Sequence, residues 1–205
     1  MSTLIRADVE PGDLAAALTR IADAIGADKV LTDPEAVQEF RDPYSYRKSD
    51  DFDACAVVCP SSVEEVQAVV RIANDLGVPL WTFSQGRNNT YGGSAPRVQG
   101  SVIVNLRNMN RVLEIDEDLA YAVVEPGVRW FDLFEALEEA GGRLWTSIPD
   151  LGWGSVIGNC TEYGRGYTPH GDHAENVCGM EIVLPSGELV RTGMWAMPDL
   201  SLIHI

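Results

Sequence analysis

The sequence predicts an α+β fold, and three observations carry that expectation. Residues 54–83 read as strand, helix and strand; two hairpins follow at 112–125 and 176–192; amphipathic helices stand at 13–25 and 131–140. At 205 residues the chain is long enough for one large or two small domains with a real core.

Leu14, Leu18, Ile21 and Ile25 recur at helical spacing, and Gly26 ends that helix. Asp33-Pro34 places an N-cap before a proline at the first helical position and opens a short helix to about Arg41. Residues 42–53 are polar and loop-like. The apolar run from Ala54 to Cys59 is a buried strand closed by Pro60. Ser62 and Glu65 have the spacing of a capping box, in which hydroxyl and carboxylate each satisfy the other's backbone donor. Val63, Val66, Val70, Ala73 and Leu76 carry the apolar stripe to Gly77. Pro79 to Phe83 is the second strand, most simply parallel to the first, and Ser101 to Leu106 is another. Val112 to Asp116 and Tyr121 to Glu125 pair as a hairpin broken by Pro126-Gly127. Phe131, Leu133, Phe134 and Leu137 mark a helix that stops at Gly141-Gly142. Asn176 to Leu184 and Glu188 to Thr192 form the second hairpin around Pro185-Ser186-Gly187.

A formal net charge of -16 argues against nucleic acid or an anionic membrane as a partner, since both would be repelled. Met1 to Asp13 lacks a basic patch followed by an apolar run, and no apolar stretch approaches the length of a membrane span. The four cysteines contain no Cys-x-x-Cys pair, and Cys55 and Cys59 fall in the apolar run as buried thiols. A reduced, cytoplasmic protein acting on a small molecule is expected.

Chemistry is expected at the C-terminal end of the Pro79–Phe83 strand, where α/β sheets bind ligands. There the apolar run gives way to small and amide side chains around Gly86, Gly92 and Gly93. A glycine-rich backbone directly after a strand can turn its N–H groups toward one point and hold an anion. Ser84, Gln85, Arg87, Asn88 and Asn89 add groups able to meet phosphate oxygens. The stretch is not a P-loop, because no Gly-Lys-Ser/Thr follows, and not a Rossmann turn, because Gly86 and Gly92 do not open a helix. A second glycine-rich stretch lies at 148–159: Gly152 and Gly154 permit close backbone approach, and Ser155 can cap a short helix through Asn159. Residues 146–174 otherwise lack periodicity but carry Trp153, Tyr163 and Tyr167, as an ordered segment wrapping a ligand would. His170, Asp172 and His173 match no zinc spacing.

Together these stretches resemble the flavin domain of the vanillyl-alcohol oxidase and 4-cresol dehydrogenase family, most closely its eugenol oxidase members. The matching residues are Ser-x-Gly-Arg-Asn-Asn-x-Tyr-Gly-Gly at 84–93, Val-Glu-Pro-Gly at 124–127 and Pro-Asp-Leu-Gly-Trp-Gly-Ser-Val-x-Gly-Asn at 149–159. Gly-Tyr-Thr-Pro-x-Gly-Asp-His at 166–173 and Leu-x-Arg-Thr-Gly-Met at 189–194 also match, so the resemblance runs from about residue 38 to Asp199.

The resemblance implies an FAD-binding domain of the vanillyl-alcohol oxidase type: two α+β subdomains with FAD between them, truncated before the C-terminal cap domain. Residues 1–53 would be an N-terminal helical segment, 54–110 the first subdomain and 111–199 an incomplete second one. Ser84, Gln85, Gly86, Arg87, Asn88 and Asn89 would cradle the pyrophosphate. Pro149, Asp150, Leu151, Gly154, Ser155, Gly158, Asn159, Gly164 and Tyr167 would line the isoalloxazine and ribityl side. The implied activity is an oxidoreductase that takes hydride from the benzylic carbon of a 4-alkylphenol or 4-hydroxybenzyl alcohol. Asp150 matches the family's carboxylate beside the reactive flavin nitrogen, and Tyr91 a tyrosine that binds the phenolate oxygen. The full-length protein is expected to be a possible homo-oligomer, and this chain alone to be inactive.

Some positions depart from the family pattern. No histidine occurs at 84–93, which excludes a covalent anchor there. His170 replaces a usual tyrosine, Arg165 a small apolar residue, Tyr163 an arginine and Trp195 a glycine. The last six residues, Leu200 to Ile205, continue no preceding pattern. One back-translation of them matches a transposon-end sequencing adapter, so 200–205 are expected to be read-through. Two further readings stand beside the main one: a non-catalytic flavin- or nucleotide-binding module, and an FAD oxidase of the same fold acting on a hydroxy acid or sugar.

Overall fold

Helix α1 (Leu14–Ile25) begins where Asp13 Oδ1 accepts from the Ala16 N–H at 3.0 Å. This is a computed structural model, and it describes residues 12–41, 53–87 and 94–196. The helix turns Ala17, Ile21 and Ile25 inward and stops at Gly26, whose φ of +103° suits a residue without a side chain. Strand β1 (Val30–Leu31) then pairs antiparallel with β2 (Ala56–Val58). Between them, Asp33 caps α2 (Pro34–Gln38), which ends short of the expected Arg41.

Helix α3 (Val63–Leu76) is capped by Ser62, whose Oγ accepts from the Glu65 N–H at 3.3 Å. The reciprocal half of the expected capping box is displaced by one residue. The Glu65 carboxylate accepts from the Ser61 N–H (2.8 Å) and from Lys29 Nζ (2.6 Å), a charge-assisted bond that holds it one residue before the cap. Gly77, in the left-handed region at φ +66°, closes the helix as expected.

Strands β3 (Leu80–Phe83) and β4 (Val102–Asn105) complete a sheet of order β1-β2-β4-β3. Strands β2 and β3 do run in one direction, but each pairs with β4, which lies between them. The crossover through α3 leaves a gap one strand wide, and β4 fills it. Alternation along the two central strands splits the core. Ala56, Val58, Val102 and Val104 face α1 and α3, where they meet Ile21, Val69 and Ile72. Val57 and Ile103 face the other way and meet Val37, Phe40, Trp81 and Phe83. Strands buried on both faces read as unbroken apolar runs, as Ala56–Val58 and Val102–Val104 do. Cys55, one residue outside the strand, is exposed and Cys59 half-buried, so neither is the fully buried thiol that the apolar run suggests.

A second unit follows. Strands β5 (Val112–Asp116) and β6 (Tyr121–Val124) form the expected hairpin, with a register shift between Val112 and Glu114. Helix α4 (Trp130–Ala140) packs Trp130, Leu133 and Leu137 against Val112, Ile115, Ala122 and Val124. Helix α5 (Val156–Thr161) adds Val156 to the same core. The last hairpin pairs β7 (Glu181–Val183) with β8 (Leu189–Arg191) around the expected turn. It docks on α3, where Gln67 Nε2 and Arg71 Nη2 each reach the Gly187 carbonyl at 2.8 Å.

Candidate functional site

Strand β3 delivers the chain to Ser84, Gln85 and Gly86. Gly86 sits at φ +63°, and a Cβ there would fall 3.0 Å from Ser94 Cβ and 3.2 Å from the Phe83 ring, so the turn requires glycine. The turn folds Gln85 inward, leaving it 8% exposed. Its amide nitrogen donates to the Gly127 carbonyl at 2.5 Å. Sequence reasoning aims this amide at phosphate, whereas the structure gives it a backbone carbonyl in the second unit. The Gln85 carbonyl in turn accepts from Arg107 Nε at 3.0 Å. The Arg107 guanidinium lies over the Phe40 and Phe83 rings, 5.4 Å from each centroid. Burial, with the neighbouring charge of Arg87, pulls its pKa below the ordinary arginine value.

Gly127 belongs to the stretch that links the two units. A Cβ on it would lie 2.6 Å from both the Leu106 and Arg107 carbonyls, so only glycine brings these backbones together. Before it, buried Glu125 accepts from the Arg111 backbone N–H (2.8 Å) and from its Nη2 (2.6 Å). Burial raises the Glu125 pKa, but the Arg111 bonds outweigh it and leave it below the usual carboxylate range.

The second glycine-rich stretch is stitched to the start of α4. Trp130 N–H donates to the Gly154 carbonyl and Phe131 N–H to the Gly152 carbonyl, both at 3.1 Å. These carbonyls satisfy donors that a helix N-terminus leaves open. Ser155 is buried and caps α5 as expected, its Oγ accepting from the Gly158 N–H at 2.8 Å. A Cβ on Gly158 would fall 2.6 Å from Ser84 Oγ, so the strand-end loop and α5 meet here and any side chain would displace the Ser84 hydroxyl.

Farther along, the Asn159 side chain bonds His173 Nδ1. The His173 ring is 2% exposed and lies 4.8 Å from the Trp130 ring. Burial pushes its pKa down, against the opposing effects of the Ser147 backbone and Asp172. His173 is thus a core residue of this segment. Asp172 pairs with Arg165 at 3.0 Å. Among the described residues, no group of three His, Cys, Asp or Glu side chains could hold a metal ion.

Asp150 is exposed, and its Oδ1 accepts from the Tyr167 hydroxyl. That bond, with the carboxylate's charge, raises the Tyr167 pKa. Ser84, Gln85, Gly86, Arg87, Pro149, Asp150, Leu151, Gly154, Ser155, Gly158, Asn159, Gly164 and Tyr167 all line one open cleft of about 1840 Å³. Asn88, Asn89 and Tyr91 lie outside the described residues. Sequence reasoning missed Arg107 and Arg111. Neither sits in a motif, and Arg107 reaches Gln85 across 22 residues. At the start of α4 the Asp132 carboxylate accepts from the Arg129 backbone N–H at 2.8 Å and from its guanidinium, a half-cap that no Ser or Thr announces in the sequence.

The cleft exceeds the roughly 300–1,000 Å³ of a drug-sized site, and Gly86, Gly158 and Gly164 line it where a Cβ would crowd neighbouring side chains. It has the room and the walls for a dinucleotide. A sheet with three parallel strands, whose strand-end glycine loop lines one long cleft with a second glycine stretch, fits a dinucleotide-binding domain. The model of the FAD binding domain family matches residues 54–193, and the chain belongs to that family. Its fold is the vanillyl-alcohol oxidase type, and its cofactor is FAD.

The structure is similar to 4-ethylphenol oxidase from Gulosibacter chungangensis in its isoeugenol complex. The TM-score is 0.92 at 46% identity, covering 98% of this chain and 39% of that one. The sequence is 36% identical over 192 residues to the flavoprotein subunit of 4-cresol dehydrogenase from Pseudomonas putida, covering 93% of this chain and 37% of the relative. It is 30% identical over 154 residues to glycolate oxidase subunit GlcD of Bacillus subtilis, covering 73% of this chain and 32% of the relative. The chain therefore spans less than two fifths of the length of these relatives. No helix among the described residues is long and apolar enough to cross a membrane.

Proposed function

We propose that this chain is the FAD-binding part of an oxidoreductase that takes hydride from the benzylic carbon of 4-alkylphenols or 4-hydroxybenzyl alcohols. The observation that carries this reading is the Asp150–Tyr167 pair, set on the wall of the same cleft as the Ser84–Arg87 loop. The similarity to a 4-ethylphenol oxidase and a 4-cresol dehydrogenase supports the substrate class.

In this account Ser84, the backbone around Gly86, Arg87 and the adjoining Asn88 and Asn89 hold the pyrophosphate. The turn at Pro149, Asp150 and Leu151 flanks the isoalloxazine, with Gly154, Ser155, Gly158, Asn159, Gly164 and Tyr167 along the ribityl side. FAD, when bound, supplies the two-electron acceptor. Asp150 handles a proton. A carboxylate has about four lone-pair sites on two oxygens, so one bond from Tyr167 leaves capacity to take a proton from water or substrate. Tyr91 binds the phenolate oxygen.

The test is Asp150→Ala in the full-length protein. The variant is expected to keep its flavin spectrum and to lose most of the reduction rate seen with vanillyl alcohol or eugenol. Unchanged reduction would remove Asp150 from the chemistry, whereas a wild-type protein that binds flavin and is reduced by neither phenol nor hydroxy acid would favour a binding-only module. The similarity to a glycolate oxidase subunit favours a second reading, in which the same domain serves a hydroxy acid. Flavin reduction by glycolate or D-lactate, with phenols inert, would establish it.

A further inference from the structure

The second residue of the strand-end loop is held from both sides. Gln85 receives Arg107 Nε on its carbonyl at 3.0 Å and passes its own amide N–H to the Gly127 carbonyl at 2.5 Å. Gly127 N–H closes the chain onto the Met109 carbonyl at 2.7 Å. Arg107 and Met109 lie just after β4 in the first unit, while Gly127 lies just after β6 in the second. Gln85 therefore touches both units through different atoms of one residue. Its side chain is buried, so the bond to Gly127 stands in place of water and is costly to leave unmade, while Arg107 holds the Gln85 backbone carbonyl.

We propose that Gln85 and Arg107 form a latch that sets the loop against the second unit and so shapes the cleft that grips the FAD pyrophosphate. This rests on the reading of Ser84–Asn89 as the pyrophosphate loop. Both are positioning residues. Gln85 spends its side chain away from the ligand, and Arg107 does not line the cleft. Arg107 contributes in two ways: it fixes the Gln85 carbonyl, and it brings a second positive charge close enough to Arg87 for the two to interact. The Phe40 and Phe83 rings hold the guanidinium in place. Both effects favour an anion over the empty loop, by preorganisation and by charge.

The experiment uses the full-length protein stripped of flavin. FAD affinity is read by quenching of flavin fluorescence, alongside the melting temperature of the apoprotein. Gln85→Met and Arg107→Met are each expected to weaken FAD binding about tenfold. The double variant should match the weaker single one, because both substitutions release the same loop residue. Arg107→Lys, which keeps charge and a donor, should stay within about threefold of wild type and preserve its salt dependence, whereas Arg107→Met should flatten that dependence. A residue that merely stabilised the fold would lower the melting temperature without changing the salt slope. Should the methionine variants fail to fold, Gln85→Asn, too short to reach Gly127, and Arg107→Gln, polar but uncharged, carry the same comparison, with Arg107→Lys still the control. Wild-type affinity in the single variants, or fully additive losses in the double, overturns the latch. Wild-type protein that takes up no FAD would instead overturn the reading of the loop itself.

Discussion

The Tyr167 hydroxyl donates to Asp150 Oδ1 across 17 residues of chain, and both side chains are exposed on the wall of the cleft. The bond holds the tyrosine neutral and gives the carboxylate a fixed orientation. Tyr167→Phe in the full-length protein is expected to slow flavin reduction by about tenfold or more while leaving FAD bound, since it removes orientation and a donor but not the carboxylate. Stopped-flow reduction with vanillyl alcohol measures it, and an unchanged rate would detach Tyr167 from the chemistry.

The same pair fixes a pH signature. A group whose pKa is raised on folding contributes stability below its ordinary value and loses it as pH rises through the raised one. Tyr167, raised by Asp150, should therefore ionise above the usual tyrosine range, and the bond should be intact throughout the neutral range. Tyr121, pushed up to about 12 by its bond to Glu114, behaves alike for an independent reason. Ultraviolet titration of tyrosinate should show Asp150→Asn returning one tyrosine toward the ordinary value, with Tyr121 unaffected. Two unmoved tyrosines in that variant would contradict the contact.

Glu125 gives the opposite sign. Its pKa is lowered on folding, so its contribution is full above the ordinary carboxylate value and is lost as pH falls through the lowered one. Glu125→Gln leaves the exposed Arg111 guanidinium and the Arg111 backbone N–H facing a weaker acceptor and is expected to cost about 1 kcal/mol at neutral pH. Denaturant melts of wild type and variant should converge in acid, and a difference independent of pH would show that the ion pair is not the cause.

Gly158→Ala sets helix propensity against sterics. Within α5 alanine should gain about 1 kcal/mol over glycine. Against this, the new Cβ would sit 2.6 Å from Ser84 Oγ, a distance that forces the Ser84 hydroxyl out of its place beside the loop. The steric effect falls on the cleft, so FAD affinity should drop at least tenfold even if the apoprotein melts at the wild-type temperature. Titration of the apoprotein with FAD decides it, and wild-type affinity would mean that the two stretches do not grip one ligand.

How far the sequence could be read depended on the range of the signal. Asp33-Pro34, Gly77, Ser155 and the Pro185–Gly187 turn announce themselves within a few residues, and the structure has each where its local chemistry puts it. The insertion of β4 between β2 and β3 leaves no local mark, because a buried strand reads the same in any sheet position. Glu65 shows the spacing of a capping box, but Lys29, 36 residues away, competes for it. Gln85 was legible as an amide in a glycine loop. Its partner Gly127, 42 residues on, was legible as a motif, yet nothing in either stretch says that they bond to each other. The cleft was legible as two glycine-rich stretches, and the supports behind it were not.

The central claim is that this domain serves oxidation of a phenolic benzylic carbon by FAD. Anaerobic mixing of the full-length protein with vanillyl alcohol or eugenol, followed in the visible spectrum, tests it most directly. The account predicts a yellow protein whose flavin absorbance bleaches with the phenol and persists with glycolate. A protein without flavin, or one that bleaches with glycolate and not with either phenol, would contradict it.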